Sequence, residues 1–160
     1  MGLCFKAHQA LCQEFQGKFA NWSVFTTDFG KKKICYMLAT PTKERGNYFQ
    51  RDRAYFLVVN STSNIDEVNI SSGFEYKKGS EVELSFGHSK YSLFTYENLA
   101  WAHNKVDDIE ILKLLRNNLD VIVIAKNKQN RFAHDTYSLV GFNKAYQFMK
   151  NMCDEFHSKN

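Results

Sequence analysis

The chain has 160 residues, enough for one domain with a sizeable core, and 44% hydrophobic with 15% aromatic content excludes a disordered chain. A net charge of +4 with scattered lysines excludes a dedicated nucleic-acid surface, which needs basic residues gathered on one face. No apolar run approaches the 18 or so residues of a transmembrane helix, and one proline with eight glycines excludes collagen-like or linker composition.

Residues 1–20 read as an N-terminal segment, either a remnant or a short helix, ahead of a single domain over residues 21–160. Lys6, His8 and Gln9 interrupt what would be the apolar stretch of a secretory signal. Met1-Gly2-Leu3-Cys4 has the look of an acylated start, but Lys6 stands where that motif takes Ser or Thr. Leu3, Ala7, Ala10 and Leu11 have rough helical spacing.

Trp22, Val24 and Thr26 alternate with Ser23 and Phe25, which predicts a first strand. Asp28-Phe29-Gly30 and Lys31-Lys32-Lys33 form the turn after it. Residues 33–40 form the next strand, closed by Pro41, and residues 42–50 form a polar loop. Residues 53–60 are the most apolar run, expected to be covered on both faces. Residues 65–71 and 73–76 flank a break at Ser71-Ser72-Gly73. Glu81 to Phe86 alternates strictly, with Glu81 and Glu83 on the wet face, and Gly87-His88 turns the chain into residues 90–95. Trp101 is expected in the core.

Asp107 followed by Glu110 gives a capping pattern, and Ile109, Leu112 and Leu115 supply the stripe of a mid-chain helix. Residues 120–125 are a β-branched run and predict a buried strand. Phe142, Ala145, Tyr146, Met149, Cys153 and Phe156 recur at helical spacing, opposite Lys144, Gln147, Lys150, Asn151 and Asp154. The pattern is mainly β, a sandwich or barrel with two helices.

The ordered segments Asn21-Trp22-Ser23-Val24, Cys35-Tyr36-Met37, Thr40-Pro41-Thr42-Lys43, Tyr55 to Val59, Gly73 to Ser80, Ala100-Trp101 and the block Asp135-Thr136-Tyr137-Ser138-Leu139-Val140-Gly141-Phe142, with Ala145 and Cys153, resemble the invasion-associated locus B (IalB) family of bacterial envelope proteins. The last block is the most specific, with Asp135, Thr136, Tyr137, Ser138, Leu139, Gly141 and Phe142 as its signature positions. The resemblance covers residues 21–153 and implies an immunoglobulin-like β-sandwich with a C-terminal helix, in the periplasm or outer membrane. Two features depart from the family pattern: residues 129–134, and the absence of a clear export signal. The family's association with host-cell invasion implies a partner, an unknown protein or envelope component, and no cofactor.

The resemblance also makes Cys35 and Cys153 the candidate disulfide. That bond would close a loop of about 118 residues, worth roughly 4–5 kcal/mol in the chain-entropy model. The alternative is two buried free thiols, which pack as small hydrophobes. Cys4 and Cys12 are expected to be free.

No catalytic, cofactor or metal constellation emerges. Ser138 lies near His134 and Asp135 without a strand–elbow motif, so it reads as a turn or cap residue. Asp135 reads as an acceptor of backbone hydrogen bonds at the strand-to-helix corner, with Tyr137 packed below. His8, His88, His103, His134 and His157 are dispersed, and Cys153 with His157 supplies only two ligands. The sequons at Asn21, Asn60 and Asn69 read as chance. These residues favour a non-enzymatic envelope protein that binds through loops 42–50 and 129–134. The alternatives are a small hydrolase or ligand carrier with a pocket in the sandwich, and a cytosolic regulatory module.

Overall fold

The computed structural model describes residues 12–60 and 65–158. Eleven strands form one antiparallel sheet: β1 (Gln13–Phe19), β2 (Trp22–Phe29), β3 (Lys32–Ala39), β4 (Lys43–Gly46), β5 (Tyr55–Asn60), β6 (Glu67–Ser71), β7 (Glu81–Phe86), β8 (Ser89–Tyr96), β9 (Leu99–Trp101), β10 (Asp120–Lys126) and β11 (Phe132–Ser138). Helix α1 (Lys105–Asn117) precedes β10, and α2 (Phe142–His157) follows β11. Their order across the sheet is β1-β2-β3-β5-β6-β9-β8-β7-β10-β11-β4.

The sheet folds back on itself, so that its two halves enclose the core as a β-sandwich. The Trp22 indole lies edge-on to Phe56, with centroids 5.9 Å apart, and Phe56 lies edge-on to Tyr137 at 5.6 Å. Trp22 Nε1 donates to the Ser138 carbonyl at 3.0 Å, tying the start of β2 to the end of β11. Helix α2 closes the open side. Its Phe142 ring meets Trp22 at 4.9 Å, and Ala145, Met149 and Cys153 are fully buried on the same stripe. Cys153 is bonded to Cys35 of β3, with Cα atoms 6.1 Å apart across 118 positions.

Several sequence expectations are corrected. Residues 13–19, assigned to a remnant or short helix, form edge strand β1; residues 1–11, including Cys4 and the acylation-like start, lie outside the described residues. Cys12 is disulfide-bonded, not free. The mid-chain helix starts earlier than its Asp107 pattern suggests. Asn104 is the cap, its Oδ1 accepting from Val106 N at 2.9 Å and Asp107 N at 3.0 Å. Residues 73–76 contribute only an isolated bridge from Tyr76 to Asn127. On β5 the inward residues Phe56 and Val58 are buried, but Tyr55, Leu57 and Val59 are only half-covered on the outer face. Trp101 also points outward, between the buried Ala100 and Ala102. Asn60 and Asn69 are buried, which excludes glycans there.

Candidate functional site

The two loops nominated from the sequence meet at one corner of the sandwich. Residues 43–46 of the first form β4, which pairs with β11 and brings Arg45 opposite His134. Asn47 continues the pairing: its backbone N–H donates to the Phe132 carbonyl at 3.1 Å, and its Oδ1 accepts from Phe132 N at 2.7 Å. The Arg131 guanidinium sits 5.3 Å over the Phe49 ring, so each loop shapes the other.

Beneath this corner lies a buried ion pair. Along β11, Ala133, Asp135 and Tyr137 face inward, and an inward carboxylate needs a partner to offset its lost hydration. Arg51 provides it. Its Nη1 and Nη2 reach the two Asp135 oxygens at 2.7 Å each, a bidentate pair whose side chains are 5% and 1% exposed. Nη2 also donates to Glu44 Oε1 at 2.6 Å, Nη1 to the Ser72 carbonyl at 3.1 Å, and the Tyr48 ring lies 4.3 Å from the guanidinium carbon. Burial works against the guanidinium charge, but the hydrogen bond and attraction of Asp135 outweigh it, and the Arg51 pKa is raised. Asp135 therefore accepts from a side chain, where backbone donors were expected.

Three tyrosines respond to this environment. Burial raises the Tyr137 phenol, the Asp135 charge adds to the effect, and its hydroxyl has no hydrogen-bond partner among the described residues. Burial pushes Tyr76 up to about 12, opposed by its hydrogen bonds with Ser72. Burial also raises Tyr48, against the pull of Arg51.

Above the pair, an open cleft of about 870 Å³ is lined by Glu44, Tyr48, Phe49, Gln50, Arg51, Asp52, Arg53, Gly73 and Phe74. Asp52 N donates to the Gly73 carbonyl at 2.8 Å. Gly73 has φ +77, and a Cβ there would collide with the Asp52 carbonyl, so glycine is what lets the two loops close. Phe49 is 88% exposed on this pinned loop.

The Ser138, His134, Asp135 grouping does not assemble. Asp135 faces the interior and is bound to Arg51, while His134 is exposed on the opposite face of the strand. Ser138 Oγ accepts from Val140 N at 3.2 Å, a turn contact. Helix α2 is entered through Gly141, with no side-chain cap. Of the signature, Tyr137, Leu139 and Phe142 fill the core and Thr136 pairs with Lys43 of β4. Glu81 and Glu83 sit on the outer face of β7 and pair with His103 and Lys90, at 2.9 Å each. Sequence reasoning missed Arg51, which falls one residue past the nominated loop. The signal that points to it is Asp135 itself, an acid in the inward register between Ala133 and Tyr137.

No curated protein matches the chain. The fold is similar to the crystal structure of invasion associated protein B from Bartonella henselae, with a TM-score of 0.65 and 14% identity over 89% of this chain and 98% of that one. The profile of the family described as Invasion associated locus B (IalB) protein matches residues 22–150. The chain, from Trp22 through the signature block and most of α2, belongs to the IalB family.

Proposed function

We propose that this protein is a non-enzymatic binding module of the cell envelope, and that its partner docks at the corner around Phe49. The observation that carries this reading is the exposed Phe49 ring held beside Arg131 on a loop fixed by a buried ion pair. An aromatic and an arginine on a rigid scaffold are the residue types that dominate protein–protein binding energy, and pinning the loop lowers the entropy lost on docking. Both terminal nitrogens of Arg51 are engaged by Asp135, Glu44 and Ser72, so its role is to hold the loop. The hydrolase alternative loses its grouping, and the sandwich interior is filled by Trp22, Phe56, Tyr137 and Phe142.

Family membership and the Cys35–Cys153 bond favour an oxidising compartment such as the periplasm, with a role in host-cell invasion as the family's name suggests. Among the described residues no helix is long and apolar enough to cross a membrane. Thiol alkylation in native cells, with and without prior reduction, tests the compartment. With the cells quenched into denaturant so that these fully buried residues are reachable, Cys35 and Cys153 should react only after reduction; their reacting directly would move the protein to a reducing compartment.

A photo-crosslinking residue at position 49 should capture the partner in living cells. Phe49→Ala with Arg131→Ala should then weaken binding to the purified partner by about tenfold or more, while Tm stays nearly unchanged. Undiminished binding by the double variant would rule out this corner as the docking surface.

A further inference from the structure

A second groove, which shares no lining residue with the Phe49 cleft, lies between the β8–β9 ribbon and the start of α1. It is an open cleft of about 480 Å³. One wall is aromatic: Phe94 stacks on Trp101 with centroids 5.4 Å apart and planes 26° from parallel, and Tyr96 extends the same strand face. His103 abuts Phe94 at 5.9 Å and is held by Glu81 at 2.9 Å. Phe94 is 40% exposed and Tyr96 67% exposed, so a ring surface stands open to water on the outer face of the sandwich.

The groove's polar groups are lopsided. Glu67 is exposed at its rim, and Asp108 is buried at its base, with Oδ1 accepting from Val68 N at 2.9 Å. The Asn104 amide is committed to α1, its Oδ1 to Val106 and Asp107 N–H groups and its Nδ2 to the Asp107 carboxylate. Besides the Tyr96 hydroxyl and the Trp101 indole N–H, what the lining offers a ligand is ring faces and carboxylate oxygens, with Lys105 the single lining cation among the described residues. A weakly hydrated cation needs only what this groove offers, because ring faces and carboxylates both attract positive charge.

We propose that the groove formed by Phe94, Tyr96, Trp101, Glu67 and Asp108 binds a quaternary ammonium group of the choline type. The methyl groups of such a cation lie against the rings, where a strongly hydrated primary ammonium would give up more hydration. Burial raises the Asp108 pKa, joined by the nearby charges of Glu67, Asp107 and Asp66, and a bound cation would relieve both effects. Lys105 competes for the same carboxylates.

The test is a titration of the full chain with choline chloride, followed by NMR at the two tryptophan indoles, with the buried Trp22 as internal reference. A saturable shift at Trp101 and none at Trp22 is expected. The neutral carbon isostere of choline should bind at least about fivefold more weakly. Tyr96→Ala and Glu67→Gln should each weaken choline binding by roughly three- to tenfold with Tm unchanged, and Lys105→Gln should tighten it. No saturable shift, or equal binding of the neutral isostere, overturns the proposal. Tighter binding of lysine or arginine methyl ester than of choline also overturns it, by replacing the ligand class.

Discussion

Asp135 shows how much one inward acid can organise. Its pair with Arg51 is buried on both sides, and losing one partner of such a pair leaves an uncompensated charge in a low-dielectric setting. Asp135→Ala should therefore cost about 3–5 kcal/mol, read from urea denaturation. Replacing both partners, Arg51→Met with Asp135→Leu, should recover most of that loss. The double variant should still fail to hold Phe49, so stability and partner binding would separate. A small loss for Asp135→Ala would show that Glu44 alone suffices to hold Arg51. In the sequence Asp135 was visible as a signature residue, but its partner was not. Two residues 84 positions apart carry no local pattern that links them, and a lone loop arginine looks like any solvated charge.

The elements that were legible are those whose own side chains alternate or repeat. Val82, Leu84 and Phe86 on β7, and the α2 stripe from Phe142 to Cys153, announce their buried faces. Strands β1 (QEFQGKF) and β4 (KERG) do not, because their residues are mostly exposed and polar. They are strands because a neighbour offers a ladder, the first to β2 and the second to β11. Trp101 was misplaced for a related reason. It follows Ala100 in a three-residue strand, too short for alternation to show which face is inward. Gly141 was visible as a signature position but not as the entry to α2, a place the sequence reading gave to Ser138 as turn or cap, and its demand there is steric. With φ +85, a Cβ at this position would collide with the Phe19 carbonyl at the end of β1. Gly141→Ala should lower Tm by about 3–10 °C, corresponding to roughly 1–3 kcal/mol of backbone strain. Gly79→Ala, at φ +76 but in open space, should cost clearly less. Equal losses in calorimetry would mean that α2 has room to shift away from β1.

At the scale of the whole molecule, the sandwich followed from the family resemblance more than from periodicity. Turn signals and alternation give a count of short strands, but not the order in which a single sheet wraps around Trp22, Phe56 and Tyr137. That wrapping buries phenols, and the burial has a consequence with a definite sign. Tyr76, Tyr137 and Tyr146 all have pKa values raised in the fold, Tyr76 to about 12, each chiefly through burial. A raised folded pKa means that the unfolded chain releases the proton first. The stability these groups contribute is full below pH about 10, the unfolded value, and is lost as pH rises through about 12 and beyond. Urea midpoints should stay level up to pH about 9 and then fall steeply. Phenolate absorbance should show Tyr76, Tyr137 and Tyr146 ionising only with unfolding. Ionisation of all eight tyrosines as one class near pH 10 would contradict this burial.

The pairing of β4 with β11 also sets a clock. Asn47 and Phe132 are 85 positions apart, and among the described residues β4 has no other strand neighbour. At ribosomal speeds of about 5–20 residues per second, the early strand waits roughly 4–17 s for its late companion. The Arg51–Asp135 pair, 84 positions apart, waits about as long, and the Cys35–Cys153 bond, 118 apart, waits longer still. The nascent protein consequently cannot complete its fold until residues 132–153 have emerged, and until then β4 is a strand without its ladder and β3 holds a thiol without its partner.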